Sequence, residues 1–182
     1  KGPAAALYVV KAVGFFVLAG YLVSRPWMHR EGFMAGFTAV VLAIVRTYFN
    51  PAGKLLDYGG GYGVLVRLLR DRGLDFYRQD IYADNLFARN FDLADAACDK
   101  FELLTAFEVF EHLEDPAAEV EKMLQFSDNI LFSTELQPIP HPTPETWWYV
   151  LPEIGQHISF FSKRSLEALA KRMVLQLSTN GK

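Results

Sequence analysis

The stretch KLLDYGGGYGVLVRLLRDRG, Lys54–Gly73, sets four glycines within five residues between a short apolar run and an amphipathic one. Glycine loses more backbone freedom on folding than any other residue, so such a cluster marks a place where the backbone itself has a task. Lys54 to Tyr58 reads as a short buried strand. Val64 to Arg72 reads as a helix, with Leu65, Leu68, Leu69 and Arg72 at three- and four-residue spacing and Gly73 as its stop. The glycines therefore sit on a strand-to-helix turn. In an open α/β sheet that turn is where nucleotide-like ligands bind, because bare backbone can approach the ligand and the helix start presents free N–H groups.

Working outward, LDFYRQD (Leu74–Asp80) reads as a second strand ending in an acid, and NLFARNF (Asn85–Phe91) as a weaker third. KFELLTAF (Lys100–Phe107), NILFST (Asn129–Thr134) and VLQLS (Val174–Ser178) supply the fourth, fifth and sixth. Between them, Asp115 caps a helix that has Pro116 at its first position and Val120, Met123 and Leu124 on its buried side. Ser162 caps another that runs to about Met173. Alternating strands and helices predict a Rossmann-like, doubly wound α/β fold: a mostly parallel sheet with helices on both faces.

The N-terminal part is more apolar. Ala12–Ser24 and Phe33–Val45 each run 13 residues without a charge, short of the roughly 20 that a membrane span needs. Membrane association is therefore not expected. Phe33, Phe37, Val40, Val41, Ile44, Val45 and Tyr48 form a helical stripe, read as a core helix. Leu7–Val10 and Phe15–Leu18 around Gly14 read as a hairpin. The expected division is an N-terminal hairpin or extension over 1–30 and a main domain over 31–182. The chain opens at KGPAAA without Met, which reads as a trimmed piece of a longer chain.

The formal net charge is -3 and no Lys/Arg cluster stands out, which weighs against a nucleic acid partner. The single cysteine, Cys98, excludes an internal disulfide and fits a reducing, cytoplasmic setting.

A dinucleotide fingerprint, G-x-G-x-x-G, counted from Gly59 and Gly61 requires a glycine where Val64 stands, which disfavours a nicotinamide oxidoreductase. What stands instead is Asp57-Tyr58-Gly59-Gly60-Gly61-Tyr62-Gly63, with Asp80 lying 21 residues after Gly59. This pattern resembles the first motif of class I S-adenosylmethionine-dependent methyltransferases. The resemblance extends through KFELLTAFEVFEHLEDP and GQHISFFSKRSLEALA, so it covers Lys54 to Ser178. It is nearest to small-molecule methyltransferases of the ubiquinone-pathway type.

The resemblance implies S-adenosylmethionine as cofactor. Gly59, Gly61 and Gly63 would approach it, Asp57 would help hold its methionine end, Asp80 would accept from the ribose hydroxyls, and Phe107 would line it. Asp57 also reads as a structural acid bonded to turn N–H groups, and both roles are compatible. The family's sheet has seven strands, the last two antiparallel at one edge. This chain stops at STNGK, so that last edge strand is expected to be missing. Some relatives carry a Cys-x-x-Cys-Gly zinc head; Val10 and Val13 stand at those positions here, so no such head is expected.

TAFEVFEHLEDP places Glu108, Glu111 and His112 at i, i+3 and i+4, on one face if Phe107–Leu113 forms a helical turn. Two carboxylates and an imidazole can bind a divalent cation. The resemblance implies Mg²⁺ held by this set plus a later histidine, here His157. The same turn without metal has carboxylates that cap backbone groups and a histidine that lines the cleft.

The expected reaction is methyl transfer to a small-molecule acceptor, a hydroxyl. His157 or His112 would be the base that takes its proton, since histidine titrates near neutrality. The proline-rich segment Leu136–His157 reads as a lid or binding element in which Trp147, Trp148 and Tyr149 are either lid packing or a substrate wall, and His141 reads as an exposed loop residue. The alternative is a non-catalytic module that binds the cofactor and serves as a partner subunit.

Overall fold

The computed structural model describes residues 6–10, 30–150, 152–153 and 155–179. Strand β1 (Ala6–Val10) precedes helix α1 (Arg30–Tyr48). Strand β2 (Lys54–Tyr58), helix α2 (Val64–Arg70) and strand β3 (Asp75–Gln79) follow. Then come β4 (Leu103–Phe107), α3 (Pro116–Phe126), β5 (Asn129–Ser133), α4 (Lys163–Arg172) and β6 (Gln176–Thr179). The strand order is β3-β2-β4-β5-β1-β6. β1 is parallel to both β5 and β6, and β2 to both β3 and β4. This is a Rossmann-like α/β fold. β2, β4 and β5 are short apolar runs buried along nearly their whole length, the pattern of parallel strands covered on both faces.

The chain divides into two compact units, 1–12 with 106–182, and 13–105. In the second, Leu55, Leu56, Val66, Leu69, Phe76, Leu103 and Leu104 are almost fully buried. Helix α1 contributes Val41 and Val45 to that core, and Arg46 reaches the Arg72 carbonyl at the end of the segment after α2. In the first unit Phe110 stacks on Phe132 with ring centroids 3.8 Å apart, and Phe161 meets Phe110 edge-on. Among the described residues no helix is long and apolar enough to cross a membrane.

Three expectations need correction. Ala6–Val10 is not one arm of a hairpin: β5 and β6 occupy both of its edges. An unbroken apolar run suits a strand inside a parallel sheet better than an alternating, half-exposed hairpin arm. The other proposed arm, Phe15–Leu18, lies outside the described residues.

Asn85–Phe91 is a loop. The Asn85 side chain accepts from the Ala88 N–H at 2.8 Å and donates to the Ala88 carbonyl at 2.6 Å, and Asn90 is left-handed at φ 68°. Asparagine satisfies its neighbours' backbone locally here and so removes the need for a strand ladder.

The segment after β4 is not a helical turn from Phe107. Only Phe110–His112 forms a 3-10 turn, and Glu108 before it is left-handed at φ 54°.

Candidate functional site

The glycine turn leaves β2 with the Gly59 and Gly60 N–H groups on the Gln79 carbonyl, at 2.8 and 3.3 Å, so the end of β3 anchors it. Gly59, Gly61 and Gly63 all take positive φ, at 71°, 54° and 84°. Gly60 is required for a different reason. A Cβ there would stand 2.8 Å from both the Asp57 Oδ2 and the Arg78 Cγ, closer than real Cβ atoms come. At Gly61 a Cβ would meet nothing within 4 Å, so this left-handed backbone faces open space.

Beneath the turn Asp57 is buried, and its Oδ1 accepts from the Thr105 hydroxyl at 2.6 Å. Burial pushes its carboxyl up to about 7, and the nearby Asp80 charge adds to the rise; the Thr105 hydrogen bond and the Arg78 charge oppose it. Asp80 closes the turn from the β3 side. Its Oδ2 accepts from the Gly61 N–H at 2.8 Å, and its Oδ1 from Tyr82 and Ala83 at 2.8 and 2.9 Å. Phe107, half-buried, ends β4.

Bare, open backbone at Gly61 with two carboxylates alongside suits a ligand that carries hydroxyl and ammonium donors. Sequence reasoning singled out Asp57, Gly59, Gly61, Gly63 and Asp80 but missed Gly60, Thr105 and Arg78. Gly60 stood inside the motif, and its need shows only where Asp57 and Arg78 crowd it.

The other cluster lies wholly in the unit of 106–182. Glu111, His112 and His157 each offer one ligand atom, all within 4.8 Å of one another. Glu111 is fully buried, His157 half-buried and His112 exposed. The return segment is pinned by its backbone: Ile158 and Ser159 N–H both donate to the Glu111 carbonyl, at 2.8 and 3.0 Å. Ser159 Oγ donates to the Leu113 carbonyl at 2.5 Å.

Each histidine is oriented by a carbonyl. His112 Nδ1 lies 2.8 Å from the Gln156 oxygen and His157 Nδ1 2.8 Å from the Tyr149 oxygen. A carbonyl only accepts, so each neutral ring carries its proton on Nδ1 and keeps a lone pair on Nε2. Among the described residues neither Glu111 carboxylate oxygen has a partner in good hydrogen-bonding geometry, though the Glu108 carboxyl and the Tyr149 hydroxyl lie near enough to interact with it by charge and by loose hydrogen bonding.

Glu108 reaches the cluster from the side. Its N–H donates to Ser133 Oγ at 3.0 Å, and that hydroxyl donates back to Glu108 Oε1 at 2.7 Å. Burial, then the charge of Glu111, pushes the Glu108 carboxyl up to about 7. Burial and the two glutamates likewise push the Tyr149 hydroxyl upward, so it stays protonated.

Of the lid aromatics, Trp147 and Tyr149 are buried while Trp148 is exposed. Tyr149 packs on His157 with centroids 4.4 Å apart and on Trp147 at 5.4 Å. Tyr149 was read as lid packing or a substrate wall; its role in orienting His157 depends on a backbone carbonyl, for which no side-chain pattern gives a signal. His141 is exposed.

A parallel sheet with a bare glycine turn, a buried acid below it and an acid at the end of the next strand defines the class I nucleotide-type cofactor fold. The chain belongs to the methyltransferase-domain family, whose model matches residues 27–177. No curated protein matches the chain. Membership implies methyl transfer, with S-adenosylmethionine as the donor.

Proposed function

We propose that the protein transfers a methyl group from S-adenosylmethionine to a hydroxyl of a small molecule. The observation that carries this reading is the glycine turn: open backbone at Gly61, Asp57 held below it by Thr105, and Asp80 at its rim. Asp57, Gly59, Gly61, Gly63, Asp80 and Phe107 are the cofactor residues in this reading. When bound, the cofactor supplies a methyl group already activated on a sulfonium.

The protein's part is to orient the acceptor, exclude water and remove the hydroxyl proton. The Nε2 lone pair of His157 is the acceptor for that proton. The Tyr149 carbonyl fixes the tautomer, and Glu111 stabilises the imidazolium that forms. His112, held the same way, is the second candidate.

A metal-assisted variant is favoured by one observation. Three electron-pair donors converge, and among the described residues the buried Glu111 oxygens have no partner in good hydrogen-bonding geometry. Glu111, His112 and His157, with Glu108 beside them, fit a divalent cation, which would lower the hydroxyl pKa. Two imidazoles suit zinc or manganese better than Mg²⁺.

Calorimetry with S-adenosylhomocysteine tests the cofactor reading. The wild-type chain is expected to bind it, and Asp80→Ala to bind about tenfold more weakly or worse. Absence of heat with the wild type would sink the reading, and equal affinity would remove Asp80 from the site. Binding without methyl transfer to any hydroxyl acceptor would favour a non-catalytic module.

A further inference from the structure

Arg78 is an arginine on β3 that is only 5% exposed, on the strand that anchors the glycine turn. Its Nε donates to Asp92 at 2.7 Å. Its Nη1 donates to the Ala83 carbonyl at 2.8 Å and to the Gly61 carbonyl. Asp80, two residues on, takes the N–H groups of the same two residues, Gly61 and Ala83. Both backbone groups of Gly61, and both of Ala83, are thus held by side chains from the end of one strand. Gly60 lies directly over the Arg78 stem.

This arrangement constrains Asp80. Among the described residues its Oδ1 accepts two N–H groups and its Oδ2 one, so a carboxylate with about four acceptor sites has one left. Were the Gly61 and Ala83 segments free to move, Asp80 would have to order them and meet the ligand at once. A guanidinium has the planar, many-donor geometry to bond two carbonyls and a carboxylate together, which an ammonium does not.

We propose that Arg78 is a positioning residue for the cofactor turn: with Asp80 it clamps Gly61 and Ala83 and leaves the last Asp80 acceptor site on Oδ2 for one ribose hydroxyl. The inference rests on the cofactor reading above. Asp92 holds the guanidinium through its Nε, on the other side from the Nη1 that bonds the two carbonyls.

The test compares wild type, Arg78→Met, Arg78→Lys and Asp92→Asn, with S-adenosylhomocysteine as the probe. Two quantities are read: calorimetric affinity, and amide exchange over Gly59–Gly63 and Ile81–Ala83 in the ligand-free protein. Arg78→Met is expected to weaken binding about tenfold or more and to speed exchange in those two segments, with β2 itself unchanged. Arg78→Lys should fall between Arg78→Met and wild type. Asp92→Asn, which leaves both carbonyl bonds, should stay within about threefold of wild type.

Wild-type affinity in a folded Arg78→Met protein overturns the proposal. So does faster exchange spread evenly over β2 and β3, which would mark a merely structural role. If Arg78→Met does not fold, Arg78→Lys decides: wild-type affinity and exchange there overturn the proposal, and losses confined to the two segments support it. A wild type that binds no probe overturns the methyl-donor reading alone, and the exchange comparison still decides the clamp.

Discussion

Asp57 concentrates the chemistry of the turn in one carboxyl group. Burial lifts it to about 7 from an ordinary 3.8. With the folded value above the unfolded one, the folded chain keeps this proton where the unfolded chain has released it. The stabilisation is therefore fully present below about pH 4 and is lost as pH rises to about 7. Glu108, also raised to about 7 by burial and by Glu111, acts with the same sign in the same window. Stability is expected to fall across that window, with a slope from Asp57 approaching ~1 kcal/mol per pH unit. Asp57→Asn should remove that share and leave the Glu108 share. Urea denaturation of both proteins across the window checks this; parallel stability curves would refute it.

At the level of elements, the helix starts follow from side chains that satisfy orphan N–H groups. Asp115 Oδ1 accepts from Ala117 and Ala118 at 3.1 and 3.0 Å, with Pro116 fixing the first helical residue. Ser162 and Ser165 exchange hydrogen bonds at the start of α4. Asp115→Ala is expected to cost about 1 kcal/mol in chemical denaturation, and Asp115→Asn only a few tenths. Equal losses for the two would assign the effect to charge and not to the cap. Both caps were legible, because capping is a contact between residues two or three apart. The Asn85–Phe91 loop was not: its apolar letters resemble a strand, and the Asn85 bonds to Ala88 decide otherwise. Glu108 was expected on a helical face with Glu111, yet its left-handed backbone takes it out of the turn, and Ser133 on β5 holds its carboxylate.

For the molecule as a whole, the acid-histidine cluster is a product of long-range folding. His157 lies 46 residues after Glu111 and is brought back by two backbone hydrogen bonds to the Glu111 carbonyl. A ligand that binds only the folded cluster stabilises the fold by mass action. Zinc or manganese ions are expected to raise the unfolding temperature of the wild type, magnesium to do so less, and none of them to raise that of Glu111→Gln. Equal shifts in wild type and variant would remove the cluster as a metal site and leave His157 and His112 as bases.

The sequence by itself determined the alternation of strands and helices, the glycine turn and its flanking acids, and the helix caps. Each of these depends on periodicity or on contacts a few residues apart. Tertiary structure alone decided the place of Ala6–Val10 between β5 and β6, since an apolar run carries no mark of which strands will border it. It also decided the Arg78 clamp and the tautomers of His112 and His157. Those depend on which backbone carbonyls fold against each side chain, and a carbonyl belongs to every residue alike.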